Sequence, residues 1–304
     1  MAVDLRYVQI QTQSRCNADC VFCPYSKSHH AAHPGRMSDE LWHKILDDLV
    51  PFAAGIQRGL IAPYLMQEPL VDPTIFDKIG DIYRAFPKTM VQLATNGSAL
   101  TPANNERLVE ALAGRKHQLW VSHHGVGAAQ VGEVMRIDGA RAEANLAHLL
   151  TLAAGTLRIT LRAAAHSLDG GPPLFEASAF RTRWRRWMID HDIDPAAVHI
   201  DVLQYHSRAG TLGGPGFGEQ VRAIGPDQPF QCWRIDQWLH VAWDGRLRLC
   251  CMDYHAEVPL PSLARISVSE WLASADYRRL WEQVTGRRRP EASFLCNRCT
   301  SPGG

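Results

Sequence analysis

The chain has 304 residues, of which 46% are hydrophobic and 21% charged, and its formal net charge is +1. These values are typical of a globular protein with one large domain or with a domain and a smaller module. The charge argues against a nucleic-acid or anionic-membrane surface, and no apolar run is long enough to span a bilayer. Because the first residues lack a signal-peptide pattern, we expect a cytoplasmic protein.

Short apolar segments alternate with helical patterns over the first two thirds of the chain. Asp72–Pro73 and Thr101–Pro102 each place a capping side chain before a proline that suits the first helical turn. Repeated strand–helix units favour a parallel sheet with right-handed crossovers, and in barrel-like sheets the active site lies at the carboxyl ends of the strands. We predict six strands, at 7–12, 60–66, 90–96, 118–124, 157–164 and 198–205.

A second, smaller module is predicted after a glycine- and proline-rich linker at 209–229, which gives domains at 1–225 and 226–304. Within it, "WLHVAWDGRLRLCC" predicts a β-hairpin that turns at Asp244–Gly245. One helix is expected over about 267–285, because "SVSE" forms a capping box at its start.

Eight cysteines form two groups separated by a long stretch without any. Clustered cysteines in a cytosolic chain usually indicate metal binding or catalysis rather than disulfides. The first group is Cys16-x3-Cys20-x2-Cys23, directly after the first strand. Three thiolates leave one iron of a 4Fe–4S cluster open to a further ligand, and thiolates are the usual ligands of such clusters. The alternative is a zinc site or a set of buried thiols, although zinc sites usually supply four ligands.

The first cysteine motif, with Phe22 before its third cysteine and Tyr25 in "CPYS", resembles that of the radical S-adenosylmethionine (radical SAM) enzymes. The resemblance implies a partial (β/α)6 barrel, a 4Fe–4S cluster that binds S-adenosylmethionine, and an electron donor such as flavodoxin or ferredoxin. The segment "YLMQEPLVDP" (64–73) resembles the family's Gly-Gly-Glu segment. Here Met66 and Gln67 replace the glycines, and Glu68 keeps the carboxylate that would hold the methionine amino group.

Two further segments, "LATNGS" (93–98) and "WVSHHG" (120–125), resemble later units of the same family. Thr95 and Asn96 would lie near the ribose of the cofactor. Ser122 and Arg136 would bind its methionine carboxylate, for which an arginine fork provides two parallel hydrogen bonds. The cofactor-binding residues implied by the resemblance are therefore Phe22, Tyr25, Gln67, Glu68, Thr95, Asn96, Ser122 and Arg136.

The second cysteine group resembles the twitch domain, a short form of the SPASM extension found in some radical SAM enzymes. The resemblance implies an auxiliary 4Fe–4S cluster with four cysteine ligands, namely Cys232, Cys250, Cys296 and Cys299. This spacing alone would also permit a four-cysteine zinc site. A zinc-stabilised binding module without catalysis is therefore the alternative of a different class.

Cys251 is left over once seven cysteines are assigned. Adjacent side chains of a strand point to opposite faces, so Cys251 points away from a cluster bound by Cys250. We expect Cys251 to be a catalytic hydrogen donor, and the alternative is a small, inert buried thiol. The two roles could be exchanged, because only the match of Gly245-x4-Cys250 assigns them.

The size of the chain, its twitch pattern and the spare thiol resemble the aminoglycoside epimerases of this family. We therefore expect inversion of one carbon of an aminoglycoside, of the neomycin C to neomycin B type. The alternatives are dehydrogenation of an aminocyclitol alcohol and modification of a peptide. The partner would be a small-molecule substrate, not a nucleic acid or a membrane. Because an aminoglycoside is polycationic, Asp72, Asp253 and Glu257 are candidate substrate-binding carboxylates.

Overall fold

The computed structural model describes residues 3–28, 32–165, 167, 171–203, 208–212 and 232–299. All six predicted strands are present, although most of them are shorter than predicted, and the predicted α/β class is confirmed. The strands are β1 (Tyr7–Ile10), β2 (Leu60–Ala62), β3 (Met90–Thr95), β4 (His117–Ser122), β5 (Ile159–Ala164), β6 (Val198–Leu203), β7 (Trp238–Val241) and β8 (Leu247–Arg248).

Ten α-helices lie among the described residues. They are α1 (Asp39–Leu49), α2 (Ala53–Ile56), α3 (Ile75–Ala85), α4 (Pro102–Leu112), α5 (Ala128–Met135), α6 (Gly139–Ala153), α7 (Ala177–Asp190), α8 (Arg234–Gln237), α9 (Val268–Ala273) and α10 (Ala275–Val284). Short 3-10 turns cover Pro24–Lys27, Val50–Phe52, Pro69–Val71, Pro195–Ala197 and Leu295–Arg298. Among these elements, no helix is both long and apolar enough to cross a membrane.

One sheet with the order β6-β5-β4-β3-β2-β1-β7-β8 runs through the structure, and all pairs except β7–β8 are parallel. Val8 and Ile10 on β1 are buried in the main hydrophobic core, where the helices pack on the outer face of the sheet. Because side chains alternate along a strand, Gln9 and its equivalents point to the other face. We call that face the inner face; it is the interior of the partial barrel.

The carboxy-terminal module extends the barrel sheet. Its strand β7 pairs with β1, with Trp238 opposite Tyr7 and His240 opposite Gln9. The predicted hairpin is confirmed: β7 and β8 are antiparallel, and Gly245 adopts a φ of 80° in the turn, a left-handed conformation that favours glycine. The predicted boundary between residues 225 and 226 lies outside the described residues.

Two details of the helix prediction were wrong. The segment expected as one helix at 267–285 forms α9 and α10, because Ser274 leaves the helical conformation and caps the next helix by accepting from the Tyr277 N–H. The capping box of Ser267 and Glu270 is present at the start of α9. Asp72 does not begin a helix: it precedes Thr74, and α3 starts at Ile75. The Thr101–Pro102 cap is confirmed.

Candidate active site

The first cysteine group occupies the loop that follows β1, at the carboxyl end of the sheet. The three thiols interact electrostatically with one another, and burial raises the pKa of each, that of Cys16 to about 12. Buried thiolates are unfavourable without a nearby positive charge. Because metals are ligated by thiolates, iron at this position would offset that penalty, and the donor set of Cys16, Cys20 and Cys23 fits an iron–sulfur cluster.

A single metal ion and an iron–sulfur cluster need different arrangements of three thiols. Among the described residues, no three His, Cys, Asp or Glu side chains converge closely enough to hold one metal ion. A tetrahedral zinc site needs its sulfur ligands at about 2.3 Å from a common centre. A cluster of four irons spreads its ligands over a larger volume than a single ion does.

The cysteine loop is fixed by backbone contacts with the end of α5. The Asp19 N–H donates to the Met135 carbonyl and the Val21 N–H to the Val134 carbonyl. Phe22 is 2% exposed and packs edge-on against His124, with ring centres 4.7 Å apart. The loop conformation is therefore held by the barrel itself, with Phe22 as its apolar anchor.

Glu68 lies buried beside this loop, between β2 and β3. Its Oε1 accepts from the Leu70 N–H and the Thr95 hydroxyl, and its Oε2 accepts from the Asn96 N–H at 2.6 Å. Burial raises the pKa of Glu68 to about 7, against the lowering effect of these bonds. A carboxylate offers about four acceptor positions, so roughly one remains for a ligand ammonium group.

Asn96 links Glu68 to the cysteine loop. Its side chain lowers the pKa of the Cys16 thiol, against the larger raising effect of burial, and donates to Asn17 Oδ1 at 2.9 Å. The structure thus brings together Cys16, Glu68, Thr95 and Asn96, which the sequence resemblance placed around one cofactor. Their roles in cofactor binding stay predictions.

Gln67 and Tyr25 contribute to the same region in different ways. The Gln67 amide accepts from the Leu65 N–H and donates to the Thr12 hydroxyl and the Pro63 carbonyl, so its side chain braces the segment before Glu68. Tyr25 is 6% exposed and packs with Leu65 against the first cysteine group. Burial raises its pKa to about 12.

Ser122 and Arg136 have different surroundings. Ser122 ends β4 opposite Arg162 of β5, on the inner face. Arg136 follows α5 with a left-handed φ of 53°, and its guanidinium forms an ion pair with Asp19 in the cysteine loop. Arg136 therefore lies beside the loop, and its predicted contact with the methionine carboxylate would compete with Asp19.

The second cysteine group assembles around Cys296. This residue interacts electrostatically with Cys232 and Cys299, and Cys250 interacts with Cys296. Burial raises the pKa of Cys232, Cys250 and Cys296. As in the first group, a set of buried thiols fits a metal cluster, here with four protein ligands.

Cys251 lies beside both cysteine groups, and together with Cys250 it packs against Ala209, Met252 and Leu295. It packs against the side chains of Tyr25, Met66 and Tyr254, and the same group of side chains contacts Cys16 and Cys23. It also interacts electrostatically with Tyr64, whose ring packs with inner-face residues of β2. The Arg234 guanidinium lies 3.7 Å from the Cys251 sulfur.

The three carboxylates suggested as substrate ligands make contacts within the protein. Asp72 accepts from both the N–H and the hydroxyl of Thr74. Asp253 accepts from the Glu257 N–H, and Glu257 forms an ion pair with Arg298. Their role in binding a polycation is suggested by position alone and stays a prediction; Oδ2 of Asp72 and Oδ2 of Asp253 are buried without a hydrogen-bond partner among the described residues.

His124 and Tyr64 are site residues that the sequence reasoning missed. His124 Nδ1 accepts from the Ala164 N–H at 2.9 Å, which ties β4 to β5 behind Phe22, and burial lowers its pKa to about 3. Tyr64 donates to Gln92 Oε1 at 3.0 Å. The "WVSHHG" and "YLMQEP" segments contain them, but nothing in the pattern distinguishes them from structural polar residues.

Comparison with known proteins agrees with this geometry. Residues 232–300 match the model of SPASM, an iron–sulfur cluster-binding domain. No protein of curated function matches the chain. Among solved structures, BtrN in complex with AdoMet and 2-DOIA is 15% identical with a TM-score of 0.57, and the match covers 94% of this chain and 89% of BtrN.

Two peptide-bound structures are also similar. SuiB of Streptococcus suis bound to precursor peptide SuiA is 12% identical with a TM-score of 0.64, covering 91% of this chain and 66% of SuiB. The anSMEcpe enzyme with bound AdoMet and Cp18Cys peptide is 14% identical with a TM-score of 0.59, covering 97% of this chain and 86% of that one. This chain has the fold of the radical SAM enzymes. The radical SAM partial barrel is followed here by a SPASM domain, as the cysteine pattern predicted.

The SPASM match leads to a measurable expectation for iron content. Replacing Cys296 or Cys299 with alanine is expected to remove about half of the iron bound after anaerobic reconstitution, because only the second cluster loses a ligand. Iron and sulfide analysis with absorption spectroscopy measures this. The matched control is Cys251→Ala, which should keep the full iron content. Full iron in the Cys296→Ala and Cys299→Ala variants would show that these residues are not ligands.

Proposed function

We propose that this radical SAM protein is an epimerase that inverts one carbon of an aminoglycoside, of the neomycin C to neomycin B type. The observation that carries the proposal is the position of Cys251. This thiol packs against a group of buried side chains that also contacts Cys16 and Cys23, and it interacts electrostatically with Tyr64. It therefore reaches the interior of the barrel from the carboxy-terminal module. A hydrogen donor opposite the cofactor is what inversion requires.

The first cysteine loop and Glu68 would bind different parts of the cofactor. Cys16, Cys20 and Cys23 would ligate the cluster, and Glu68 would accept from the methionine ammonium group with its remaining acceptor position. When bound, a 4Fe–4S cluster with S-adenosylmethionine would supply the radical chemistry that removes a hydrogen atom from an unactivated carbon, with an electron from a donor such as flavodoxin or ferredoxin. The buried ring of Phe22 keeps this region apolar and excludes water.

Cys251 then completes the inversion. A carbon that has lost a hydrogen atom is planar, and its configuration is set by the face that receives the next hydrogen. The Cys251 S–H bond breaks and a new C–H bond forms on the opposite face, which leaves a sulfur-centred radical on Cys251. This transfer is downhill because an S–H bond is weaker than an aliphatic C–H bond.

One electron and one proton restore the Cys251 thiol. The neighbouring set of Cys232, Cys250, Cys296 and Cys299 would hold a cluster of the kind that transfers single electrons. Cys250 is adjacent in sequence to Cys251 and interacts with it electrostatically. The proton comes from solvent, so the thiol hydrogen exchanges with water between turnovers.

The second candidate is dehydrogenation of an aminocyclitol alcohol. It is favoured by the similarity to BtrN over nearly the full length of both chains. In that case the substrate radical would lose an electron and a proton rather than gain a hydrogen, and Cys251 would have no chemical role. Peptide modification is a third candidate, supported by the similarity to SuiB and anSMEcpe.

Product analysis separates these candidates. The reconstituted protein is incubated anaerobically with S-adenosylmethionine, a reductant and neomycin C, and the products are examined by chromatography and mass spectrometry. We expect a product of unchanged mass with a different retention time and the inverted centre visible by NMR. A product with two hydrogens fewer would support the dehydrogenase instead, and no product from neomycin C would contradict the proposed substrate.

A further inference from the structure

The carboxy-terminal module has a basic cleft on the outer side of helix α10. Its volume is about 460 Å³, and it is lined by Ala273, Ala275, Arg278, Arg279, Glu282 and Arg288. The loop "GRRRP" (286–290), which follows α10, adds two exposed cations, Arg287 and Arg289. Five arginines therefore lie at or next to one opening, which is wide enough to admit the acidic side chains of a partner.

Carboxylates of the protein neutralise only part of this charge. Asp276 pairs with Arg279, and Glu282 pairs with Arg288. The other arginines have no ion pair among the residues that the structure describes, namely Arg278, Arg287 and Arg289. With Glu291 included, the segment 275–291 has five arginines against three carboxylates. At physiological salt this excess attracts acidic surfaces within about 8 Å.

The inner side of α10 packs against the segment that carries the second cysteine group. The Tyr277 hydroxyl donates to the Ile235 carbonyl at 2.8 Å, and the Ile235 N–H donates to the Cys232 carbonyl. The Trp281 indole donates to Asp236 at 2.5 Å. One helix therefore separates the cleft from Cys232, a thickness on the order of 10 Å. This distance is short enough for single-electron transfer within a protein.

We propose that this cleft is the docking site of a small acidic electron-transfer protein, of the flavodoxin or ferredoxin class, that exchanges single electrons with the second cluster. Both candidate reactions need such a partner. In an epimerase, the carrier loses one electron, which with one proton converts the sulfur radical of Cys251 back to the thiol. In a dehydrogenase, the carrier gains the electron that the substrate loses. The inference therefore rests on the SPASM domain and not on the identity of the substrate.

A second basic cleft of the protein provides the control. It measures about 420 Å³ and is lined by Gly80, Tyr83, Arg84, Pro87, Lys88, Gly114, Arg115 and Lys116. Lys88 and Lys116 directly precede β3 and β4, so this cleft lies at the amino end of the sheet, opposite the first cysteine loop. Arg84 lies in the last turn of α3, where the helix dipole favours cations, whereas Arg278 and Arg279 follow the first turn of α10, where it favours anions.

Two double variants compare these clefts. The cleft variant is Arg278→Glu with Arg289→Glu, and the control variant is Lys88→Glu with Lys116→Glu. Each reverses two exposed cations, so the total charge of the protein changes equally in both. Arg287 is kept, because its guanidinium lies over the ring of Trp281, which helps to hold α10 in place.

Reduction by flavodoxin tests the docking site in the full-length reconstituted protein. The background is Cys16→Ala, which should retain only the second cluster, so that absorption reports this cluster alone. At low ionic strength, the cleft variant should lower the rate constant for reduction by reduced flavodoxin at least about tenfold, because attraction becomes repulsion. The control variant should change it less than about twofold, because steering acts locally. Equal iron content and equal final reduction by excess dithionite show that the cluster is intact.

Three outcomes would overturn the proposal. They are equal rates in the cleft and control variants, a rate that does not fall as ionic strength rises, and no reduction of the second cluster by flavodoxin.

Formation of 5′-deoxyadenosine shows which cluster the cleft serves. The background is now Cys251→Ala, in which no sulfur radical forms, so an electron is needed only at the first cluster. With flavodoxin as the electron source, the cleft and control variants should form 5′-deoxyadenosine at the same rate. A selective loss in the cleft variant would show that the cleft supplies the first cluster and would contradict the proposal. Neither experiment uses neomycin C, so failure of the proposed substrate leaves both tests valid.

Discussion

Replacing Cys16, Cys20 or Cys23 with alanine is expected to abolish formation of 5′-deoxyadenosine. Each thiol would be one of three ligands in the first loop, and the sequence of that loop contains no fourth cysteine as a replacement. Losing one ligand should lose the cluster, and with it the open iron on which the cofactor is cleaved. The measurement is chromatographic detection of 5′-deoxyadenosine after anaerobic incubation with dithionite and S-adenosylmethionine.

The control for this experiment is Cys296→Ala, which changes a cysteine of the second group and leaves the first loop intact. It should still form 5′-deoxyadenosine, although with less iron. Normal cofactor cleavage in Cys16→Ala, Cys20→Ala or Cys23→Ala would show that the radical SAM assignment of the site is wrong.

Cys251→Ala is expected to separate cofactor cleavage from inversion. The variant lacks the proposed hydrogen donor but keeps all seven proposed cluster ligands, so it should still form 5′-deoxyadenosine and give no inverted product. Cys251→Ser should behave in the same way, because an O–H bond is too strong to give a hydrogen atom to a carbon radical. Both are measured by following 5′-deoxyadenosine and epimer in the same reaction.

The paired variant Cys250→Ala distinguishes the two adjacent cysteines. Cys250 interacts with Cys296 of the second group, and Cys251 packs toward the first group. Cys250→Ala should therefore lose iron, and Cys251→Ala should keep it. If the iron loss occurs in Cys251→Ala instead, the roles of the two residues are exchanged. Normal turnover by Cys251→Ala would leave the epimerase proposal without a hydrogen donor and would favour the dehydrogenase.

The strands and the cysteine groups were predictable because local chemistry determines them. The apolar runs of β1 to β6 are short and separated by helical patterns, as in any parallel sheet that is covered by helices. The hairpin of β7 and β8 follows from Asp244–Gly245, where glycine permits a left-handed turn. The two groups of closely spaced cysteines similarly predicted two metal centres.

The polar lining of the barrel was not predictable in the same way. In "YVQIQT", Gln9 and Gln11 alternate with apolar residues, a pattern that equally describes a strand with one solvent-exposed face. In the structure both side chains are buried on the inner face, where the pairing of β7 with β1 brings His240 opposite Gln9. The same limit applies to Asp72 and Asp253, whose hydrogen bonds to Thr74 and Glu257 depend on turns that the sequence does not specify.

The most direct test of the central claim is turnover of neomycin C by the wild-type protein in deuterated water. The thiol hydrogen of Cys251 exchanges with solvent, so a hydrogen returned by this residue must originate from water. We predict that the epimerised product carries one deuterium, located at the inverted carbon, as measured by mass spectrometry and NMR. A product with no solvent deuterium at that carbon would contradict hydrogen return from Cys251 and, with it, the proposed mechanism.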